Sequence, residues 1–503
     1  MRVSETAPAR SVRSRWELGL ELKPRGPRDP LFTQIVRSIV TDIQRGRLSP
    51  GTVLPGTRAL ARALGVSRMT ALVAYEELAA EGWIDIRQAR RPVVATDIPL
   101  ESMQPRLRPR RAEREAPVYR LSSAPRVEPA AEHMTGVLVM GGSAPDTRLI
   151  DVEPLARAYR RVLHDSRGSV LRYGDAAGHP RLRSALAAML ASTRGLTVGA
   201  DQIFVTRGSQ MALSLVARSI LRRGDVVAVE ALGYRHAWQA FRLAGARLLP
   251  VLVDAGGLDV AALARCAEQQ RIAAVYVTPH HQFPTTVTLT QDRRQNLLEL
   301  ARRKGIAIIE DDYDHEFHYE GPSVMPLASL GGTATVIYVG TLSKILAPGL
   351  RIGYVAAAAE LLERLAAYRA FADMQGDFVV EGAVAELMET GEVQRHVRRV
   401  RLEYRRRRDL LADRLRARLG HALSLERPSG GLAVWASSRP GTDIDRWAAA
   451  ALDHGVAFQT AHTFTFSGER LPHARLGYGT LNEMEIVETV ERLAAAHVAV
   501  TPG

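Results

Sequence analysis

The sequence predicts an α/β protein: a small N-terminal helical unit with a β-wing, then a domain with a large, mostly parallel sheet and a smaller C-terminal lobe. Three observations predict it. Apolar residues between 31 and 80 recur at helical spacing, punctuated by glycines. Short, wholly apolar runs between 203 and 355 alternate with amphipathic stretches. A proline-rich interval between the two carries neither period.

Residues 1–28 are polar, with Pro and Arg, and are expected to be a flexible tail. From Pro30, Leu31, Ile35, Ile39 and Ile43 recur every fourth residue, so one helical face is apolar until Gly46 and Pro50-Gly51. A second helix is expected from about Thr57 to Leu64, stopped by Gly65. Ser67 is placed to cap a third that reaches about Ala80, before Gly82. Two apolar stretches, Trp83–Ile86 and Pro92–Ala95, flank Arg87-Gln-Ala-Arg-Arg91 and predict a wing. The unit is therefore bounded at 29–97.

Residues 98–135 contain Pro99, Pro105, Pro109, Pro117, Pro125 and Pro129 and the basic run Arg106–Arg111, the composition of an extended linker. The second domain is bounded at 136–503. Its strands are expected at 203–206, 226–230, 273–278, 306–310, 335–339 and 352–355. Continuous apolar strands separated by helices mean a sheet buried on both faces, hence mostly parallel. After about Phe371 the chain is more helical, with a basic stretch at 395–408 and the segment Gly430–Trp435.

Composition limits the function. No run of 18 apolar residues predicts a membrane span. The opening Met1–Arg10 lacks an apolar core and is not expected to be a secretory signal. A single cysteine, Cys266, excludes an internal disulfide framework and any multi-cysteine metal site; no metal ligand set is assigned. A cytoplasmic protein is expected. The net charge of +13 is uneven: residues 1–130 carry 23 Arg or Lys against 14 Asp or Glu, and the other 373 residues carry 44 against 40. Positive charge concentrated on a small unit suits a polyanion, double-stranded DNA first.

Two short helices joined by Gly65-Val66, with a third opening at Ser67-Arg68, have the spacing of a helix-turn-helix. Arg58 opens the second helix, and Ser67, Arg68 and Thr70 open the third, where side chains reach phosphates or base edges. The segments Leu54–Arg68 and Tyr75-Glu-Glu-Leu-Ala-Ala-Glu-Gly-Trp83 resemble the GntR-type winged helix. The resemblance covers about residues 29–96.

Lys344 is the most informative residue of the second domain. The chain has three lysines, at 23, 304 and 344, against 64 arginines. A retained lysine is a candidate for work Arg cannot do, because its amine can lose a proton and condense with an aldehyde. It follows the apolar run Thr335–Val339 in Gly340-Thr-Leu-Ser343-Lys344, and Arg351 stands seven residues on. This segment resembles the cofactor-lysine segment of fold-type I pyridoxal-phosphate (PLP) enzymes. The resemblance implies a covalent link at Lys344 and a phosphate held by Ser343 and Arg351; a dianion suits a hydroxyl and a forked guanidinium.

PLP also needs an acid at its pyridine nitrogen, an aromatic plate, a donor to its phenolate oxygen and a phosphate cup. Glu310-Asp-Asp-Tyr-Asp-His-Glu-Phe317 offers Asp311, or its rival Asp312, for the nitrogen and Tyr313 for the phenolate. Gly208, Ser209 and Gln210 stand between a strand and a helix, where backbone N–H groups favour a phosphate. Tyr234 is the candidate plate. His281, in the loop 278–284, is placed at the same crevice.

Together these segments resemble the class I aminotransferase fold, and with the winged helix the whole chain resembles the MocR/GabR group of bacterial regulators over about residues 29–498. The resemblance implies a homodimer in which Tyr173 reaches the phosphate in the partner subunit. It also implies that Arg475 holds the carboxylate of an amino-acid ligand. The sequence departs from the group's pattern at Leu232, Thr286 and Ala433. The function expected is a transcription regulator that binds DNA and senses PLP or a small amino compound, with residual transaminase activity open. The alternative is a working aminotransferase with an accessory helix-turn-helix domain.

Overall fold

The computed structural model describes residues 30–86, 91–96, 119–120, 136–141, 144–321 and 324–500. The tail 1–28, almost all of the expected linker 98–135 and the wing tip 87–90 lie outside them. The chain divides into two compact units, residues 1–123 and 124–503.

In the first unit, α1 (Leu31–Gln44) buries Ile35, Val36, Ile39 and Ile43, the face its sequence period defines. Helix α2 (Thr57–Leu64) ends at Gly65, whose φ of 65° lets the chain turn without a Cβ penalty. Ser67 then caps α3 (Arg68–Ala80), its hydroxyl accepting the Thr70 N–H at 3.0 Å. Strands β1 (Ile84–Asp85) and β2 (Val93–Val94) pair antiparallel as the wing, and Val53 bridges to Val93. One core closes the unit, with Leu60, Ala71, Leu78 and Val94 fully buried. Tyr75 crosses it to donate its hydroxyl to the Pro55 carbonyl at 2.7 Å.

The second unit holds two principal sheets. Strand β3 (Leu138–Met140) belongs to the smaller. The larger is built from β4 (Ile203–Thr206), β5 (Val226–Glu230), β6 (Arg247–Val251), β9 (Ala274–Val277), β10 (Ala307–Asp312), β11 (Val336–Thr341) and β12 (Gly353–Ala356), in the order β4-β12-β11-β10-β9-β5-β6. A hairpin, β7 (Val253–Asp254) with β8 (Gly257–Leu258), stands between β6 and β9 in the chain. All pairs from β11 to β6 are parallel, and only β12 runs against its neighbours. Separate apolar clusters cover the two faces, which is why the strands read as continuous apolar runs.

Two features depart from the sequence expectation. Edge strand β6 went unread because it is only partly buried and contains Pro250, which an edge tolerates. The C-terminal lobe is more helical, as expected, with helices at Phe378–Glu389, Glu392–Leu419, Ile444–Asp453 and Glu483–Val500, but it also holds a sheet that went unread: β13 (Leu423–Leu425), β14 (Ala433–Ser438), β15 (Val456–Thr460) and β16 (His473–Gly477) join β3 in a five-stranded, mostly antiparallel sheet. Among the described residues no helix is long and apolar enough to cross a membrane.

Candidate functional site

The carboxyl ends of the parallel strands open on a cavity of about 540 Å3. Strand β11 delivers Lys344 to its wall. The turn that follows is fixed by Thr341, a residue the sequence reading passed over: its hydroxyl donates to the Ile352 carbonyl (3.2 Å) and accepts the Ser343 N–H (3.1 Å). Ser343 and Lys344 both line the cavity.

Opposite stands Asp311, at the end of β10. Successive side chains on a strand point to opposite faces, so the acidic pair splits. Asp311 lines the cavity and accepts the Tyr276 hydroxyl at 2.7 Å through Oδ2; its Oδ1 is buried with no hydrogen-bond partner. Burial pushes its pKa up to about 7, against the pull of the Lys344 charge. Asp312 faces away. It lies 3.5 Å from the Arg194 guanidinium and 3.1 Å from His315, accepts the Tyr338 hydroxyl, and is held well below the usual carboxylate range even though burial opposes this. The rival for the pyridine nitrogen is thus committed to a buried ion pair on the other face.

The helix Ser209–Ile220 begins without a side-chain cap, after Gly208 at φ 77°. Ser209 and Gln210 line the cavity. A Cβ on Gly208 would sit 2.8 Å from Arg351 Nη2, so only glycine lets that guanidinium close over the helix start. Arg351 adopts a left-handed φ of 54°, and Nη2 donates to the Arg207 carbonyl at 3.0 Å. A non-glycine residue costs energy there, and such outliers concentrate at binding sites. Gly353 is required for the same packing, since its Cβ would lie 2.8 Å from Ser209 N. Bare N–H groups, two hydroxyls and a guanidinium make a cup suited to a phosphate.

Tyr234 lines the cavity edge-on to Phe283, ring centroids 5.5 Å apart, and its hydroxyl is pushed up to about 12, chiefly by burial. Tyr313 also lines it, but its hydroxyl donates to the His281 carbonyl at 2.9 Å. Three residues stand apart. The His281 ring is fully buried behind the wall, bonded to Asp314 and packed on Gly430, so it does not face the crevice where the sequence reading placed it. Arg475, on β16, is 0% exposed; it donates to the Pro284 carbonyl and lies 4.7 Å from the Phe283 ring centroid. Its guanidinium is therefore already engaged by the Phe283–Pro284 segment. Tyr173 is 82% exposed and outside the cavity.

In the first unit, Arg58, Ser67 and Arg68 are exposed, and Thr70 is half-buried. The Ser67 and Thr70 hydroxyls lie 2.8 Å apart and are engaged with each other at the helix start.

Sequence reading also missed a cluster of histidines behind the cavity: His280, His281, His315 and His318. The signal was present as an adjacent His pair and a His-x-x-His spacing, one after β9 and one after β10. Burial pushes the His280 and His318 imidazoles down, toward their neutral forms.

Residues 138–493 match the family described as aminotransferase class I and II, and residues 31–94 match the gntR family of bacterial regulatory proteins. The chain is 28% identical over 475 residues to the probable rhizopine catabolism regulatory protein MocR of Rhizobium meliloti, covering 93% of this chain and 94% of that protein. It is 32% identical to the 2-aminoadipate transaminase of Thermus thermophilus, over 72% of this chain and 90% of that one. The α-aminoadipate aminotransferase LysN of Thermus thermophilus, solved with N-(5'-phosphopyridoxyl)-L-leucine, superposes with a TM-score of 0.68 at 31% identity, covering 73% of this chain and 94% of LysN. The chain therefore belongs to the class I and II aminotransferase family over most of its length and, with the gntR region ahead of it, is a MocR-type regulator whose aminotransferase-like domain has the PLP-binding fold.

Proposed function

We propose that this regulator holds PLP on Lys344 and changes its DNA affinity in response to PLP or a small amino compound. One observation carries the reading: Lys344 shares a cavity with Asp311, whose buried Oδ1 lacks a hydrogen-bond partner. A protonated pyridine nitrogen supplies the missing donor. PLP, when bound, supplies an aldehyde for a lysine amine and an electron-withdrawing ring. The chain's own residues do the rest. Asp311 keeps the ring nitrogen protonated. Arg351 offsets the phosphate charge, and Ser209, Gln210 and Ser343 are to donate hydrogen bonds to its oxygens. Tyr234 covers the ring, and Thr341 holds the Lys344 turn. Tyr313 is to donate to the phenolate oxygen, which requires its hydroxyl to leave the His281 carbonyl.

The first unit, residues 29–97, is to bind double-stranded DNA through Arg58, Ser67, Arg68 and Thr70, with 98–135 as the connection to residues 136–503. The exposed Tyr173 supports a homodimer, since an aromatic ring left 82% in water suits a second copy. The Tyr173 segment is tied to the exposed Met374 segment by the Gly174 N–H donating to Gln375.

The test is direct. Purified protein is expected to be yellow, with a band abolished by borohydride. Lys344→Ala and Lys344→Arg are expected to lose the covalent link. A reducible adduct at wild-type level in Lys344→Ala overturns the assignment. The second reading, a working aminotransferase, is favoured by the way Lys344, Asp311 and Tyr234 converge on one cavity. Rapid amino transfer to a keto acid, with no operator binding, would establish it.

A further inference from the structure

We propose that His280, His281 and His318 form a site for a divalent transition-metal ion, with zinc the expected occupant. The three rings are 5%, 1% and 7% exposed, and each offers a nitrogen within 4.8 Å of those of the other two. Neither nitrogen of His280, neither of His318, nor Nε2 of His281 has a hydrogen-bond partner. A buried polar atom without a partner is strongly unfavourable, and most have one in folded proteins. Five on three touching rings mark a place where something else supplies the bond.

The tautomer of His281 is fixed in the way a metal ligand needs. Its Nδ1 lies 2.8 Å from Asp314 Oδ1, so Nδ1 carries the proton and donates, leaving a lone pair on Nε2. A carboxylate behind a histidine is the usual outer support of a ligating imidazole, orienting the ring and raising its basicity. The donor set also selects the ion. Three imidazoles, with no carboxylate among the grouped ligands, suit zinc, cobalt, nickel or copper rather than magnesium or calcium. Tetrahedral zinc at roughly 2.0–2.1 Å from nitrogen needs ligand atoms about 3.3 Å apart. The observed nitrogens lie within 4.8 Å of one another, so the His280 and His318 rings must turn inward as the ion binds.

Such an ion would tie the segment after β9 to the segment after β10, the two that also carry Phe283 and Tyr313 of the cavity wall. His318 in turn bridges to Gly430, extending the tie toward β14. The competing account is three neutral rings that fill space around a trapped water.

The experiment uses full-length protein with PLP bound. Metal is stripped with chelator, and Co2+ is added while ligand-field bands are read. The expected result is about one Co2+ per chain, with the strong visible bands of tetrahedral nitrogen coordination, displaced by one equivalent of Zn2+. His280→Gln and His318→Gln are each expected to abolish the bands while the PLP absorbance stays. Asp314→Asn is expected to weaken Co2+ binding about 10–100-fold. Wild-type protein that takes up no Co2+ or Zn2+ against a competing chromophoric chelator overturns the proposal, whether or not the variants fold. Bands unchanged in both His variants overturn it as well.

Discussion

At the scale of single residues, the cavity depends on which of two adjacent acids faces it. Asp311 and Asp312 are chemically alike in sequence, and both were candidates. Strand alternation and the Arg194–Tyr338–His315 surroundings separate them, and of those partners Arg194 and Tyr338 come from other parts of the chain. Asp311 carries a pH signature. Its pKa rises from 3.8 to about 7 on folding. Between those values the folded chain keeps a proton that the unfolded chain has released. The stability it contributes is therefore fully present below 3.8 and is lost as pH rises through about 7. Asp311→Asn removes this titration but can still accept the Tyr276 hydroxyl. In PLP-free protein, the variant's denaturation midpoint is expected to gain on wild type from pH 4.5 to 7 and to track it above. The same variant is expected to release PLP more readily; equal retention would deny Asp311 its proposed role. Thr286, another residue-scale departure, sits at φ 64°, a conformation that β-branched residues disfavour. Thr286→Gly removes roughly 1–2 kcal/mol of strain and adds about 0.5–1 kcal/mol of unfolded-state freedom. A small net rise in the urea midpoint is expected, and a fall would mean the strain is absent.

At the scale of elements, the winged helix was nearly fully legible. Glycine stops and a serine cap are local signals, and α2 and α3 begin and end where those residues put them. The small-lobe sheet was not legible, because its strands pair across long sequence separations: β3 near residue 139 joins β15 near 457. The cap also separates two roles that sequence merged. Ser67 was expected to touch DNA, yet its hydroxyl holds the first turn of α3. Ser67→Ala is expected to destabilise the unit by about 0.5–2 kcal/mol and to weaken DNA binding through that loss. Arg68→Ala, exposed and outside the core, is expected to leave thermal unfolding unchanged. Its operator affinity should fall by roughly 1–3 kcal/mol if it contacts a base, with relaxed sequence preference. Mobility-shift titrations beside melting curves distinguish the two; equal melting losses would assign Arg68 a structural role instead.

At the scale of the whole molecule, the proposed function requires a ligand in the aminotransferase-like domain to alter DNA binding by the gntR region. A single sequence does not disclose this, since the coupling depends on how the two units are arranged, and no local sequence signal encodes that. Thermodynamics still bounds the answer. A ligand shifts DNA affinity only by its differential affinity for two arrangements of the protein, and a tenfold change needs about 1.4 kcal/mol. Arg475 shows where that difference can arise for an amino acid. Its guanidinium is bonded to the Pro284 carbonyl and lies over the Phe283 ring, so a ligand carboxylate that pairs with it competes with that segment. PLP alone demands less, because its proposed contacts already line the cavity and only the Tyr313 hydroxyl must leave the His281 carbonyl. On the proposed reading, amino-acid binding would couple to movement of the 278–284 loop more strongly than PLP binding would. Operator affinity should be titrated with PLP and with candidate amino acids, in wild type and in Arg475→Ala. The expected outcome is a PLP effect common to both proteins and an amino-acid effect confined to wild type. Arg475→Ala also removes a buried charge with its bonds, so PLP retention and melting must be measured in parallel. Phe283→Ala, which uncovers the guanidinium without deleting it, is expected to sharpen the amino-acid response. If Arg475→Ala keeps the full amino-acid response, the carboxylate is held elsewhere and the loop is not the coupling element.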